Sequence, residues 1–154
     1  MEPKVEYPPL LAEGFQDIKL DELKVIFLTP FPKTTTRTKI LRIFKHWIKG
    51  VKKLNVKCEI WIDGSFATEK VDPKDIDVVL FISSKDQFKL EKSPKKQLLD
   101  RLTNQKLTKE QRKKYLCDSY LGFLEDVFDR REWEKLYGRL RDEITPKGIF
   151  RIFI

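Results

Sequence analysis

Asp75 and Asp77 are the residues whose types and spacing promise chemistry: two carboxylates, two apart, at the head of the apolar run Val78-Val79-Leu80-Phe81-Ile82. On an extended chain such residues face the same side with Cα atoms roughly 6.5 Å apart, so both can serve one metal centre. A hard cation such as Mg²⁺ takes oxygen ligands and is commonly held by a few carboxylates together with substrate phosphates. The complementary half lies upstream in Gly64-Ser65-Phe66, with nine residues between Ser65 and Asp75. A glycine after a buried strand lets the backbone approach a phosphate closely, and a following helical turn aims its N–H groups and the Ser65 hydroxyl at that anion. Ile60-Trp61-Ile62 suits that strand, and Thr68 and Lys70 sit on the short connection that follows. The pattern is that of a metal and triphosphate site. His46 is the one histidine in the chain, which excludes a histidine cluster for zinc and a serine-histidine triad and leaves Ser65 as a phosphate ligand.

The combination resembles the DNA polymerase beta-like nucleotidyltransferase superfamily, whose signature is Gly-Ser, a spacer of about this length, and Asp-x-Asp; Gly64, Ser65, Asp75 and Asp77 match it. More narrowly, Asp63-Gly64-Ser65-Phe66-Ala67-Thr68-x-Lys70, Pro73-x-Asp75-Ile76-Asp77-Val78 and Lys147-Gly148-Ile149 are similar to a family of small bacterial nucleotidyltransferase-like proteins, over a stretch from about residue 37 to the end. The resemblance implies Mg²⁺ (or Mn²⁺) as cofactor and transfer of a nucleoside monophosphate from a nucleoside triphosphate to a protein or RNA acceptor. It also implies that Gly64, Ser65, Thr68 and Lys70 are nucleotide-binding. Larger enzymes resembling this one carry an additional helical region for which little length remains after Asp118, so a cognate protein partner or a homodimer is expected to complete the site, and several minimal members of the superfamily belong to toxin–antitoxin or phage-defence modules.

Enzymes of that superfamily use a third carboxylate from a neighbouring strand, because two metals about 3.5–4 Å apart carry four positive charges. Asp118 is the candidate: it is the single acid in Tyr115-Leu116-Cys117-Asp118-Ser119-Tyr120-Leu121, an apolar and aromatic run of strand character. The alternative for Asp118 is an aspartate facing water at an edge or turn. Glu59 and Asp63 are weaker substitutes, and Asp63 could instead orient the glycine turn through its backbone.

The elements that must position these groups are legible in outline. Pro3, Pro8, Pro9 and Gly14 predict an irregular N-terminal wrap over residues 1–33, with a short helix over 20–28. Pro30 and Pro32 break the chain before Thr34-Thr35-Thr36, a cluster suited to capping. Ile40, Phe44, Trp47, Ile48, Val51 and Leu54 then mark one face of a long amphipathic helix whose other face is basic and carries His46. Strands are expected over 57–62 and 75–82. Leu98, Leu99 and Leu102 mark a modest helix and Thr108-x-x-Gln111 resembles a capping box for another. Lys85, Lys89, Lys92, Lys95 and Lys96 make this stretch the most basic surface, the place to look for an anionic acceptor, with a mobile solvated loop as the other reading. A helix over 131–143, with Trp133, Leu136, Tyr137 and Leu140 on one side, and a final strand over 148–154 complete the chain. The expected fold class is α/β (α+β): one nucleotidyltransferase-like domain over 1–154, with a mixed sheet of about four or five strands and packed helices.

The chain of 154 residues carries 32 basic against 24 acidic residues, a net charge of +8 that favours contact with phosphates. No apolar stretch reaches the roughly 18–20 residues of a membrane span, and the N-terminus lacks a secretory pattern, so a cytoplasmic protein with no membrane contact is expected. Cys58 and Cys117 lie in apolar runs and read as buried free thiols. Two other readings use the same residues: a noncatalytic nucleotide-binding or antitoxin-type partner of the same fold, and a basic nucleic-acid-binding domain without chemistry. Three converging carboxylates favour the enzyme over the first, and binding that survives Asp75→Asn marks the second.

Overall fold

A computed structural model describes residues 4–103, 108, 110 and 115–154. Five strands form one mixed sheet in the order β1-β5-β2-β3-β4: β1 (Phe15–Asp17), β2 (Glu59–Asp63), β3 (Ile76–Ile82), β4 (Cys117–Phe123) and β5 (Ile149–Phe153). β2 is antiparallel to both β3 and β5, whereas β1 with β5 and β3 with β4 are parallel. Five α-helices pack on this sheet among the described residues: α1 (Leu23–Phe27), α2 (Arg37–Leu54), α3 (Ser84–Glu91), α4 (Lys96–Thr103) and α5 (Val127–Tyr137). The expected fold class is the one observed.

Helix α2 follows the apolar spacing read from the sequence, with Ile40, Leu41, Phe44, Trp47, Ile48, Val51 and Leu54 all buried. Its start is held by Thr34, whose Oγ1 accepts the Arg37 N–H at 3.1 Å. Asn55 ends it in the left-handed conformation at φ 56°. Lys95 Nζ then donates to the Leu54 carbonyl at 3.1 Å, a cation at the negative end of the helix dipole.

Because side chains alternate along a strand, the sheet has two unlike faces. On one, Ile60, Ile62, Val78, Leu80, Ile82, Phe150 and Ile152 pack with Phe27, Phe44, Trp47 and Leu99 from α1, α2 and α4. On the other, Trp61, Val79, Phe81 and Ile149 pack with Tyr137 and Trp133 from α5. Phe81 lies so close over β4 that a Cβ at Gly122 would fall 2.4 Å from its ring.

The parallel pairing of β3 with β4 requires a crossover, which the segment between them supplies through α3 and α4. Ser83 caps α3 by accepting the Asp86 N–H at 3.0 Å. This crossover leaves β3 at the end opposite Asp77, so the lysines of α3 begin roughly 17 Å of strand away from the carboxylates. The basic stretch expected to meet an anionic acceptor therefore starts at the wrong end of β3 for that task.

Several boundaries move. The N-terminal wrap contains β1 and a short 3₁₀ turn at Leu20–Glu22 that runs into α1. Residues 15–17 reveal no strand by periodicity because three residues are too few; pairing with β5 makes them one. The last helix spans Val127–Tyr137 rather than 131–143, since Asp126 accepts the Asp129 N–H as its cap and Gly138 ends it. Leu136, expected on the packed side, is consequently exposed. Gln111 of the suggested capping box lies outside the described residues.

Candidate active site

The site is assembled by strand register. Asp63 pairs with Asp77 across β2 and β3, and Asp77 pairs with Asp118 across β3 and β4. Directly paired residues share a face, so the three carboxylates form one row on the α5 side of the sheet. Asp75 immediately precedes β3, two residues before Asp77, and falls on the same side. The crossover is what delivers Asp118, because a parallel return brings the start of β4 beside the start of β3. Tyr120, next on that face of β4, donates its hydroxyl to Asp118 Oδ2 at 3.1 Å.

The electrostatics report the crowding. Burial first, and then the charges of Asp75, Asp118 and Asp63, push Asp77 from 3.8 up to about 7. Asp75 is raised by burial and then by Asp118, while Lys70, Lys74 and Arg141 act to lower it. Among the described residues no three side chains stand close enough to hold a metal ion as they are. Like-charged carboxylates without a cation between them repel one another.

Gly64 is required twice over. Its φ of 75° lies in the region that favours glycine, and a Cβ there would sit 1.9 Å from Asp77 Oδ2. The turn Ser65–Ala67 follows directly, with Ser65 partly exposed and Phe66 and Ala67 buried. Lys147, two residues before β5, braces this turn: its ammonium ion-pairs with Asp63 Oδ1 at 2.6 Å and donates to the Gly64 carbonyl at 2.9 Å. Burial raises Asp63 above the usual carboxylate range, opposed by Lys147 and by the Gly64 N–H. Lys147 is itself buried, so it holds the turn rather than facing a ligand.

Thr68 is buried and uses its hydroxyl within the loop, donating to the Ser65 carbonyl at 2.7 Å and accepting the Lys70 N–H at 3.2 Å. Lys70 is partly exposed, with Nζ 5.8 Å from the Tyr7 ring. The N-terminal segment reaches this loop as well, through Leu10 N–H to the Ala67 carbonyl and Glu69 N–H to the Pro8 carbonyl. Glu59 stands apart at the other end of β2, receiving two bonds from Arg130 and one from the Trp61 indole. It is a structural carboxylate.

Arg37, which the sequence reading passes over, supports the whole loop. It is fully buried, and its guanidinium donates to the carbonyls of Phe27, Phe66, Thr68 and Lys70, with distances of 2.7–3.2 Å. It also stacks on Phe31, 3.7 Å from the ring centroid. Burial lowers its pKa to about 10. The signal available in the sequence was its position: a cation in the first turn of a helix opposes the helix dipole and needs a reason to be there.

A model of a family described as of unknown function (DUF6932) matches residues 3–153. No curated protein and no solved structure matches the chain.

Proposed function

The chain belongs to the DUF6932 family, and for it we propose a Mg²⁺-dependent nucleotidyl transfer, from a nucleoside triphosphate to a hydroxyl of a protein or RNA acceptor. The observation that carries this reading is the register row of Asp63, Asp77 and Asp118, with Asp75 alongside and Gly64 packed against the Asp77 carboxylate.

The donor set fits a hard cation: all oxygen, with charges that raise one another's proton affinity and are only partly offset by neighbouring lysines and arginines. Asp75, Asp77 and Asp118 would hold Mg²⁺, while Asp63 is committed to Lys147. Bound there, the metal would supply Lewis-acid polarisation of the phosphate and neutralise charge developing on the leaving pyrophosphate. Gly64 and Ser65 offer a close backbone approach and a hydroxyl to the terminal phosphates. Lys70, Lys74 and Arg141 add positive charge at the mouth of the site. In the reaction the acceptor oxygen bonds to the α-phosphorus, the bond to pyrophosphate breaks in line, and the hydroxyl proton leaves to solvent. The chain contributes positioning and electrostatics.

The test is transfer of label from each α-labelled nucleoside triphosphate, with Mg²⁺ or Mn²⁺, to a cell lysate. Wild type is expected to label protein or RNA, and Asp77→Ala to lose transfer by at least about a thousandfold while remaining folded. Equal labelling by Asp77→Ala would sink the assignment.

A further inference from the structure

Helix α2 carries a surface that the carboxylate site does not use. Its buried side is mostly apolar, and its exposed side carries six cations: Lys39, Arg42, Lys45, Lys49, Lys52 and Lys53. The other exposed residues of the helix are Thr38 and His46. At about 100° per residue the six cations fall within roughly 140° of the helix circumference and extend for about 21 Å along its axis. The chain has 24 acidic residues, and none lies in the 18 positions of this helix. Among the described residues no ion pair involves any of the six.

Such a face is unfavourable for the helix itself. Lys45 and Lys49 are four apart, as are Lys49 and Lys53, while Lys39 and Arg42 are three apart, spacings at which like charges destabilise a helix. Lys39, in the first turn, also opposes the helix dipole. Helix sides turned only to water are commonly mixed in sign, because opposite charges at these spacings are stabilising. The other helices follow that rule: Lys135 pairs with Glu132 at 3.1 Å in α5, and Lys96 of α4 faces Glu91 of α3 at 3.9 Å. The lysines of 85–96 are thus interleaved with Asp86 and Glu91, and the unbroken cationic stripe belongs to α2 instead.

Cations about one helical turn apart, in a straight row of about 21 Å, complement an extended array of negative charge rather than a single anion. No large apolar side chain is exposed on α2 to enter a lipid surface. We propose that α2 is a docking surface for the phosphate backbone of a polynucleotide, held by ion pairs with these six side chains and without reading its sequence. The first turn of the helix is the one whose Arg37 holds the loop between Phe66 and Lys70, so one end of the stripe starts in the turn that supports the candidate site. The docking stands whether or not the carboxylates transfer a nucleotide. Only its consequence for the acceptor, a nucleic acid rather than a protein, rests on the nucleotidyl-transfer reading.

The experiment follows a fluorescent oligonucleotide, as RNA and as DNA of one sequence, by anisotropy over a salt series. For wild type the affinity is expected to fall roughly 300-fold between about 50 and 200 mM salt, as six neutralised phosphates of a single strand require. In Lys45→Gln/Lys49→Gln/Lys52→Gln the same fall is expected to shrink to about 20-fold, with the melting temperature unchanged or raised because like charges have been removed. Lys85→Gln/Lys89→Gln/Lys92→Gln removes as much charge from α3 and is expected to keep the wild-type salt dependence. Unrelated sequences should bind alike, and the tighter of RNA and DNA names the source of the backbone. Equal weakening by both triple variants reduces the effect to net charge and overturns the proposal. Wild type that fails to bind, or whose affinity is indifferent to salt, overturns it without recourse to any variant. Equal or tighter binding of poly-glutamate, or of vesicles of anionic lipid, gives the surface to another partner and overturns it as well. Transfer of label to the lysate is read separately on the same protein. Oligonucleotide binding without labelling upholds the docking surface and removes the transfer reading, and labelling without oligonucleotide binding does the reverse.

Discussion

Alternate residues of β3 build two surfaces of opposite character. Val78, Leu80 and Ile82 face a layer of helices and are fully buried. Asp77, Val79 and Phe81 face the other way, where α5 covers Val79 and Phe81 and leaves Asp77 partly exposed among other carboxylates. One face concentrates the apolar burial that stabilises the fold, and the other gathers like charges that oppose folding. The strand can carry the second because the first anchors it. Arg37 joins the two, with its backbone in α2 on the covered side and its guanidinium under the loop that follows Gly64.

The comparison breaks first on the covered face. Phe44 is fully buried and stacks on Trp47. Phe44→Ala is expected to cost about 4 kcal/mol in denaturant unfolding, equally at pH 5 and pH 8, because no titrating group is involved. A pH-dependent cost would tie this face to the carboxylates.

Asp77→Asn tests the other face and should have the opposite sign. Its folded pKa of about 7 lies above the ordinary 3.8, so the native state binds the proton more tightly than the unfolded chain does. That contribution to stability is complete below the unfolded value and is lost as pH rises from about 4 through about 7. With solvent screening allowed for, the loss in wild type is about 3 kcal/mol. Asp77→Asn is expected to flatten that fall and to melt higher than wild type at pH 8 without divalent cations. Added Mg²⁺ should raise the melting temperature of wild type more than that of the variant. Parallel pH profiles for the two proteins would remove Asp77 as the source of the strain.

Arg37→Lys probes the connection between the faces. A lysine ammonium cannot reach four carbonyls in the planar fork geometry of a guanidinium, so a loss of about 2 kcal/mol is expected. Because three of the four carbonyls belong to the loop between Phe66 and Lys70, the proposed transfer predicts that the variant also raises KM for the nucleotide with a smaller change in kcat. A stability loss with unchanged kinetics would make Arg37 a core residue only.

Part of this was legible beforehand because it is local. A period of two puts Asp75 and Asp77 on one side of any strand, helical spacing marks the buried face of α2, and the apolar run of five residues from Val78 to Ile82 reads as a central strand. The start of α5 was missed because Asp126, a capping residue, precedes residues that stay exposed, Val127 and Phe128 among them, and so present no apolar stripe. Arg37 carried only the oddity of a cation at a helix start.

By itself, then, the sequence determined that Asp75 and Asp77 share one side of a strand and that the chain mixes α and β elements, since each depends on neighbours a few residues apart. Only the tertiary structure decided that Asp63 and Asp118 stand in register with Asp77 and that Lys147 and Arg37 hold the loop. Strand register and crossover join residues as far apart as Asp63 and Lys147, and no local spacing encodes which of them will meet.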